Sequence, residues 1–257
     1  MDMNRLDLRT PPSIISVSGA IILGLGAIVA LAGCGGGPDP DTPRPSPSTR
    51  PTAPPAAVVV DERPAILFVG TSLTAGYGLD PGDAFPAVFQ RRVDDAGLDY
   101  RAVNAGVSGE TSAGALRRMD WLLRQEVAIL VLETGANDGL RGQDPESTRA
   151  NIQAIFDRAG EQETPPDLAL VGMEALPNYG EDYRRRFRTI YPELAEANGA
   201  LLVPFLLEGV AGDPDFNQAD GIHPTAEGSK RVAANVWNAL EPLLNARKAR
   251  TASPGSP

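Results

Sequence analysis

Five residues have the types that acyl transfer needs, and they fall in four short glycine-bearing segments. Ser72 stands in GTSL (Gly70 to Leu73), Gly109 in NAGVSGETS (Asn104 to Ser112) and Asn137 in TGANDGLRG (Thr134 to Gly142). Asp220 and His223 stand in DGIHP (Asp220 to Pro224). A serine hydroxyl is a poor nucleophile until a base takes its proton as it attacks. Histidine, with an unperturbed pKa of about 6.5, suits that work, and His223 is the only histidine of the 257 residues. An imidazole needs a carboxylate on its other ring nitrogen. Asp220 lies three residues earlier and can be turned back onto the ring, while Pro224 disfavours helical backbone at His223. The tetrahedral intermediate needs donors for its oxyanion. Gly109 can offer a backbone N–H, Asn137 its side-chain amide, and Ser72 its own N–H at a helix start, where backbone donors are unpaired.

Each segment taken singly fits a plainer role. GTSL and GAND suit ordinary turns, Gly109 suits a positive φ, and a lone histidine is more often structural than catalytic. What favours chemistry is the joint pattern of nucleophile, base, orienter and oxyanion donors.

These segments must be brought together by the elements around them. AILFV (Ala65 to Val69), YRAVN (Tyr100 to Asn104), VAILVLE (Val127 to Glu133), LALVGM (Leu168 to Met173) and ALLVPF (Ala200 to Phe205) read as five strands. Helices are expected over Ala84 to Ala96, Ser112 to Gln125, Pro145 to Gly160, Tyr179 to Asn198 and Ala226 to Asn245. Short apolar strands alternating with helices predict an α/β fold, a parallel sheet covered on both faces. Ligands of such sheets bind beyond the carboxyl ends of the strands. All four segments follow strands, so they fall at that one end.

With those blocks in place, the chain resembles the SGNH, or GDSL, family of serine hydrolases. The likeness runs from about Ile66 to Leu244, and VNAGVSGETS, GANDGLRG, LPNYGEDY and DGIHP look most like its secreted bacterial branch of arylesterases, acyl-CoA thioesterases I and lysophospholipases. The resemblance implies a three-layer α/β/α sandwich with a five-stranded parallel sheet of flavodoxin-like type. It implies Ser72 as nucleophile, Asp220 and His223 as the rest of the triad, and Ser72, Gly109 and Asn137 as oxyanion donors. One departure is Thr71, where the family motif has aspartate; any hydrogen bonds of that carboxylate would fall to the Thr71 hydroxyl. The activity so implied is hydrolysis of esters or thioesters through an acyl-enzyme on Ser72, with no metal or organic cofactor. Substrates would be small acyl esters, thioesters or lysophospholipids, with Leu140, Leu176, Pro177 and Tyr179 as candidates for contacting an acyl chain. A glycan acetyl esterase and a non-catalytic envelope lipoprotein are the alternatives.

Competing motifs are absent or incomplete. The fifth position of an α/β-hydrolase G-x-S-x-G elbow is Thr74 here. Neither a phosphate loop nor a dinucleotide fingerprint follows the first strand. GDPDFNQADG (Gly212 to Gly221) has Gln218 and Pro224 where a calcium loop needs glycine and glutamate. The run Arg184 to Arg186 reads as a solvated helix face.

A net charge of −10 argues against nucleic acid as a partner. One cysteine and one histidine exclude an internal disulfide and a zinc site built mainly from those residues. The cysteine has a placement of its own. A polar start with Arg5 and Arg9 precedes an apolar stretch from about Ile14 to Ala32 and the sequence LAGC ending at Cys34. This pattern fits an export signal and resembles a bacterial lipoprotein signal, with residues 1–33 removed and lipid placed on Cys34. An uncleaved membrane anchor is the alternative. The Pro/Gly/Ser-rich stretch to residue 57 reads as a tether, residues 58–249 as the hydrolase domain, and residues 250–257 as a disordered tail. The expectation is a monomer held at the periplasmic face of the envelope, by lipid in the inner or outer membrane.

Overall fold

Every apolar run expected to be a strand lies in one parallel sheet of the computed structural model, which describes Asp61 to Ala252. The signal segment, Cys34, the tether and residues 253–257 lie outside the described residues. The strands are β1 (Ala65–Gly70), β2 (Arg101–Gly106), β3 (Val127–Glu133), β4 (Asp167–Val171) and β5 (Leu201–Val203). Their order is β2-β1-β3-β4-β5, all parallel. β1 and β3 are buried along their whole length, as continuous apolar runs at the centre of such a sheet should be. β2 is an edge strand and only half-buried.

The helices are α1 (Ser72–Ala75), α2 (Phe85–Asp95), α3 (Ser112–Leu122), α4 (Ala136–Leu140), α5 (Pro145–Gly160), α6 (Gly180–Asn198) and α7 (Ala226–Ala252). α2 packs with α7, while α3 packs with α5 and α5 with α6, so two helical layers sandwich the sheet. Their apolar spacing explains the packing. Phe187, Ile190, Tyr191 and Leu194 fall at helical intervals along α6 and are all buried. α6 then stops at Gly199, whose φ of +61° takes the left-handed cap that glycine adopts without strain.

Several boundaries differ from the expectation, and three of them have a local reason. β5 ends at Val203 because Pro204 has no N–H for the ladder. β4 ends at Val171, and the Gly172 N–H instead crosses to Val203 O at 2.8 Å. α7 continues to Ala252, past Asn245 and three residues into the expected tail, since no glycine or proline interrupts residues 243–252. The one-turn helix α1 begins at Ser72, where a helix start was expected, and α4 occupies a segment read only as a loop.

The order 2-1-3-4-5 reverses direction between β1 and β3, and a crevice opens outside the carboxyl ends of strands at such a switch point. Ser72 follows β1 and Asn137 follows β3. Under them runs a chain of aromatic contacts from sheet to helix. Phe89 of α2 meets Phe68 of β1 with ring centroids 5.2 Å apart and Trp237 of α7 at 5.5 Å. Phe89→Ala should cost about 3–5 kcal/mol of folding free energy, measured as a fall in the denaturant midpoint with the m-value unchanged.

Candidate active site

The serine stands on a turn that leaves the central strand. β1 ends at Gly70, and the Thr71 hydroxyl caps α1 by accepting the Leu73 N–H at 3.4 Å. Ser72 is the first residue of that helix, and its N–H has no hydrogen-bond partner among the described residues. Thr71 and Thr74 both reach Glu133, buried at the end of β3.

The histidine comes from a hairpin near the other end of the domain. Asn217 and Pro224 form an antiparallel bridge, Gln218 N–H donates to His223 O at 2.7 Å, and Thr225 N–H donates to Phe216 O at 2.8 Å. Within this frame Gly221 takes φ +69° and its N–H donates to Gln218 O at 2.9 Å. The chain so turned places Asp220 Oδ1 2.9 Å from the Ile222 N–H and 3.0 Å from the His223 N–H. Asp220 Oδ2 lies 2.6 Å from His223 Nδ1. The backbone N–H of His223, its imidazole and the Ile222 N–H together hold the Asp220 carboxyl at about 2, below its ordinary 3.8. At neutral pH this carboxylate can only accept, so Nδ1 carries the hydrogen and Nε2 presents a lone pair. That lone pair meets Ser72 Oγ at 2.9 Å, within the reach a general base needs. The Tyr77 ring packs beside the imidazole with centroids 4.7 Å apart. The Gln218 amide ties the hairpin down, donating to Tyr77 O at 2.7 Å and Pro224 O at 2.9 Å.

The two remaining blocks are clamped to each other. Glu110 N–H donates to Val107 O at 3.2 Å, closing a turn in which Gly109 takes φ +78°. The Gly109 N–H has no partner among the described residues. Asn137 Nδ2 donates to Glu110 O, and Arg141, one turn further along, donates to Gly109 O, both at 3.0 Å. The Asn137 amide keeps a second hydrogen. Arg118 pairs with Glu110 at 2.6 Å and fixes the same loop from behind. Ser72, Gly109, Asn137 and His223 thus line one cavity of about 240 Å³. All five residues singled out by type and spacing are brought together.

Beside this cavity lies an apolar groove of about 460 Å³ that shares Leu73, Ala136, Leu140 and Ile222 with it. Leu176 and Pro177 line the groove as well, and Met173, Phe205 and Leu207 extend it. Tyr179 does not line it. Its hydroxyl donates to Leu140 O at 3.2 Å and its ring packs on Tyr183, so it supports the groove wall from outside.

Two buried carboxylates escaped the sequence reading. Glu133 closes an otherwise apolar strand, and that lone charge was the available signal. Asp138, next to Asn137, accepts the Ser112 N–H at 2.9 Å, the Ser112 hydroxyl at 2.6 Å and the Thr148 hydroxyl at 3.3 Å. It thereby fastens α4 to the starts of α3 and α5.

A serine, a histidine and an aspartate in hydrogen-bonded series at the switch point of a parallel sheet define a serine hydrolase. The chain belongs to the GDSL-like lipase/acylhydrolase family, whose profile matches residues 68–231. It is 43% identical over 180 residues to the esterase TesA of Pseudomonas aeruginosa, covering 70% of this chain and 89% of that protein. It is 36% identical over 181 residues to thioesterase 1/protease 1/lysophospholipase L1 of Escherichia coli K12, covering 70% and 85%. Among solved structures, a crystal structure of TesA superposes with a TM-score of 0.66 at 42% identity, over 70% of this chain and 99% of that one. The psychrotrophic esterase EstA of Pseudoalteromonas sp., solved inhibited by monoethylphosphonate, also gives 0.66, at 32% identity over 70% and 98%.

Asp220→Asn would leave both backbone donors an oxygen but face the Nδ1 hydrogen with an amide. The imidazole would then have to move its proton to Nε2. A fall in kcat on the order of 10⁴ is expected by analogy with the same change in trypsin-type triads, with the unfolding midpoint little altered.

Proposed function

We propose that this protein is an envelope-tethered serine esterase that cleaves acyl esters and thioesters of apolar chains, lysophospholipids among them, through an acyl-enzyme on Ser72. The observation that carries the substrate class is the apolar groove opening beside Ser72. Its volume falls within the usual range for small-molecule sites, about 300–1,000 Å³, and an acetyl group would leave most of it unfilled. That separates this reading from deacetylation of glycans. The names of the relatives, esterase and thioesterase/lysophospholipase, agree with it.

The steps follow from the contacts. Ser72 Oγ attacks the carbonyl carbon while His223 Nε2 takes its proton, a role supported by their 2.9 Å separation. The imidazolium so formed is met by ionised Asp220. The oxyanion is received by the unpartnered N–H groups of Ser72 and Gly109 and the spare hydrogen of Asn137. His223 then gives the proton to the departing alkoxide or thiolate. Water enters, loses a proton to the same imidazole and attacks the acyl-enzyme, and the acid leaves as Ser72 recovers its hydrogen. One chain supplies every group in this sequence, so a monomer suffices. Lipid on Cys34 would hold the domain at the membrane, bringing it close to amphiphilic esters. The chain enters the domain ahead of β1, at the end of the sheet opposite the site.

A fluorophosphonate probe should label the wild type in the membrane fraction, label Cys34→Ser in the soluble fraction, and leave Ser72→Ala unlabelled and inactive. Undiminished labelling of Ser72→Ala would remove the nucleophile from this account, and a membrane-bound Cys34→Ser would remove the lipid.

Chain-length dependence tests the groove. Each buried methylene contributes ~0.8 kcal/mol, so kcat/KM for p-nitrophenyl esters should rise about four-fold per methylene until the groove is filled. Leu176→Trp should move that maximum to shorter chains. A profile that peaks at acetyl would exclude the groove as the acyl site.

A further inference from the structure

A buried carboxylate lies under the turn that carries Ser72, and the steps above make no use of it. Glu133 is 1% exposed. Its Oε2 accepts the Thr71 N–H at 2.8 Å and the Thr74 hydroxyl at 2.9 Å, and the Thr71 hydroxyl stands 3.0 Å from each carboxylate oxygen. The residues it grips are those just before and two after Ser72. Gly70 makes the approach possible, for a Cβ there would sit 2.0 Å from Thr74 Oγ1 and 2.6 Å from Glu133 Oε2. Thr71 is also the position where the chain departs from its family motif, and its hydroxyl is a neutral donor. A second acid in that place would have to share a proton with Glu133.

Such a group is costly to keep. Burial pushes the Glu133 carboxyl up to about 7 from 4.5 against the pull of its hydrogen bonds from Thr71 and Thr74. Among the described residues no Lys or Arg pairs with it. The other ionisable groups nearby are Tyr191 of α6, whose hydroxyl donates to Thr134 O at 3.0 Å, and Asp138 of α4, which is occupied with Ser112. The folded chain therefore holds a proton on Glu133 that the unfolded chain releases between pH 4.5 and about 7. Folding stability therefore falls as pH rises through that window.

We propose that Glu133 is a positioning residue for the nucleophile, fixing the backbone on both sides of Ser72 through Thr71 and Thr74 so that its hydroxyl meets His223. The inference rests on the assignment of Ser72 but extends to residues that touch no substrate. Glu133 acts best as an acceptor for all its donors, which is the ionised form. In the protonated form one oxygen becomes a donor among donors, and the turn loses part of its hold.

The test compares Thr71→Val, Thr71→Ser and Glu133→Gln with the wild type on a p-nitrophenyl ester, with unfolding midpoints and kcat–pH profiles for each. Thr71→Val should lower kcat on the order of 10²-fold, as small misplacements of a reacting group do, with KM unchanged. Thr71→Ser, which keeps the hydroxyl, should restore kcat. Glu133→Gln should lower kcat and make the acid limb of its pH profile shallower, because one proton instead of two then controls it. Equal kcat in Thr71→Val and Thr71→Ser would overturn the proposal. So would a Glu133→Gln enzyme whose kcat and limb slope match the wild type, or one whose only change is a lower unfolding midpoint. Should Glu133→Gln fail to fold, the Thr71 pair decides alone. An inactive wild type would instead count against the esterase assignment.

Discussion

The hydrogen bond between Ser72 and His223 joins residues 151 positions apart, and the rest of the architecture can be understood as what that contact requires. One partner stands at the head of a central strand, the other just ahead of the last helix. Neither is placed by its own neighbours alone. β1 is held between β2 and β3, and α7 is held on α2. The ring sequence Phe68, Phe89, Trp237 couples the strand below the serine to the helix beyond the histidine. Because close-packed interiors transmit displacement instead of absorbing it, a change in that stack reaches the site without touching it.

Local chemistry was plain in the sequence and long-range support was not. The strands β1 and β3 read clearly because continuous apolar runs leave few alternatives, and α5 because Pro145 marks its start and Gly160 its end. Ser72, Gly109, Asn137, Asp220 and His223 could be named because each carries a residue type its task demands. The partners of Thr71 could not be named, since a hydroxyl in a turn has many possible acceptors and only the pairing of β1 with β3 brings Glu133 alongside. Asp138 was hidden for the same reason, because Ser112 is 26 residues away. Tyr179 is a case where the sequence left two roles open. An aromatic in a loop near the site suggested ligand contact, but its hydroxyl found a backbone carbonyl and its ring another tyrosine. The end of α7 was misjudged: the polar tail suggested a stop at Asn245, but no glycine or proline interrupts residues 243–252 and the helix runs to Ala252.

The support beneath the site is built from acids rather than bases. Glu133 and Asp138 are both buried and both satisfied by neutral hydroxyl and backbone donors. An arginine in either place would bring a competing positive charge near the imidazole and five donors to satisfy. The carboxylates instead gather the polar ends of neighbouring elements while leaving the donors that face the cavity free. Arg141 holds the 107–110 turn through Gly109 O, and Arg118 holds it through Glu110 from behind.

Acid and base occupy one short hairpin, whereas the serine belongs to the core. The hairpin is secured by a handful of backbone bonds and the Gln218 amide; the strand is secured by the whole interior. Segments with few buried contacts open at lower free energy than the sheet they adjoin. Gentle warming should therefore lift imidazole and carboxylate away together while the hydroxyl stays in register. The enzyme would fall silent before it unravels, and recover its rate on cooling.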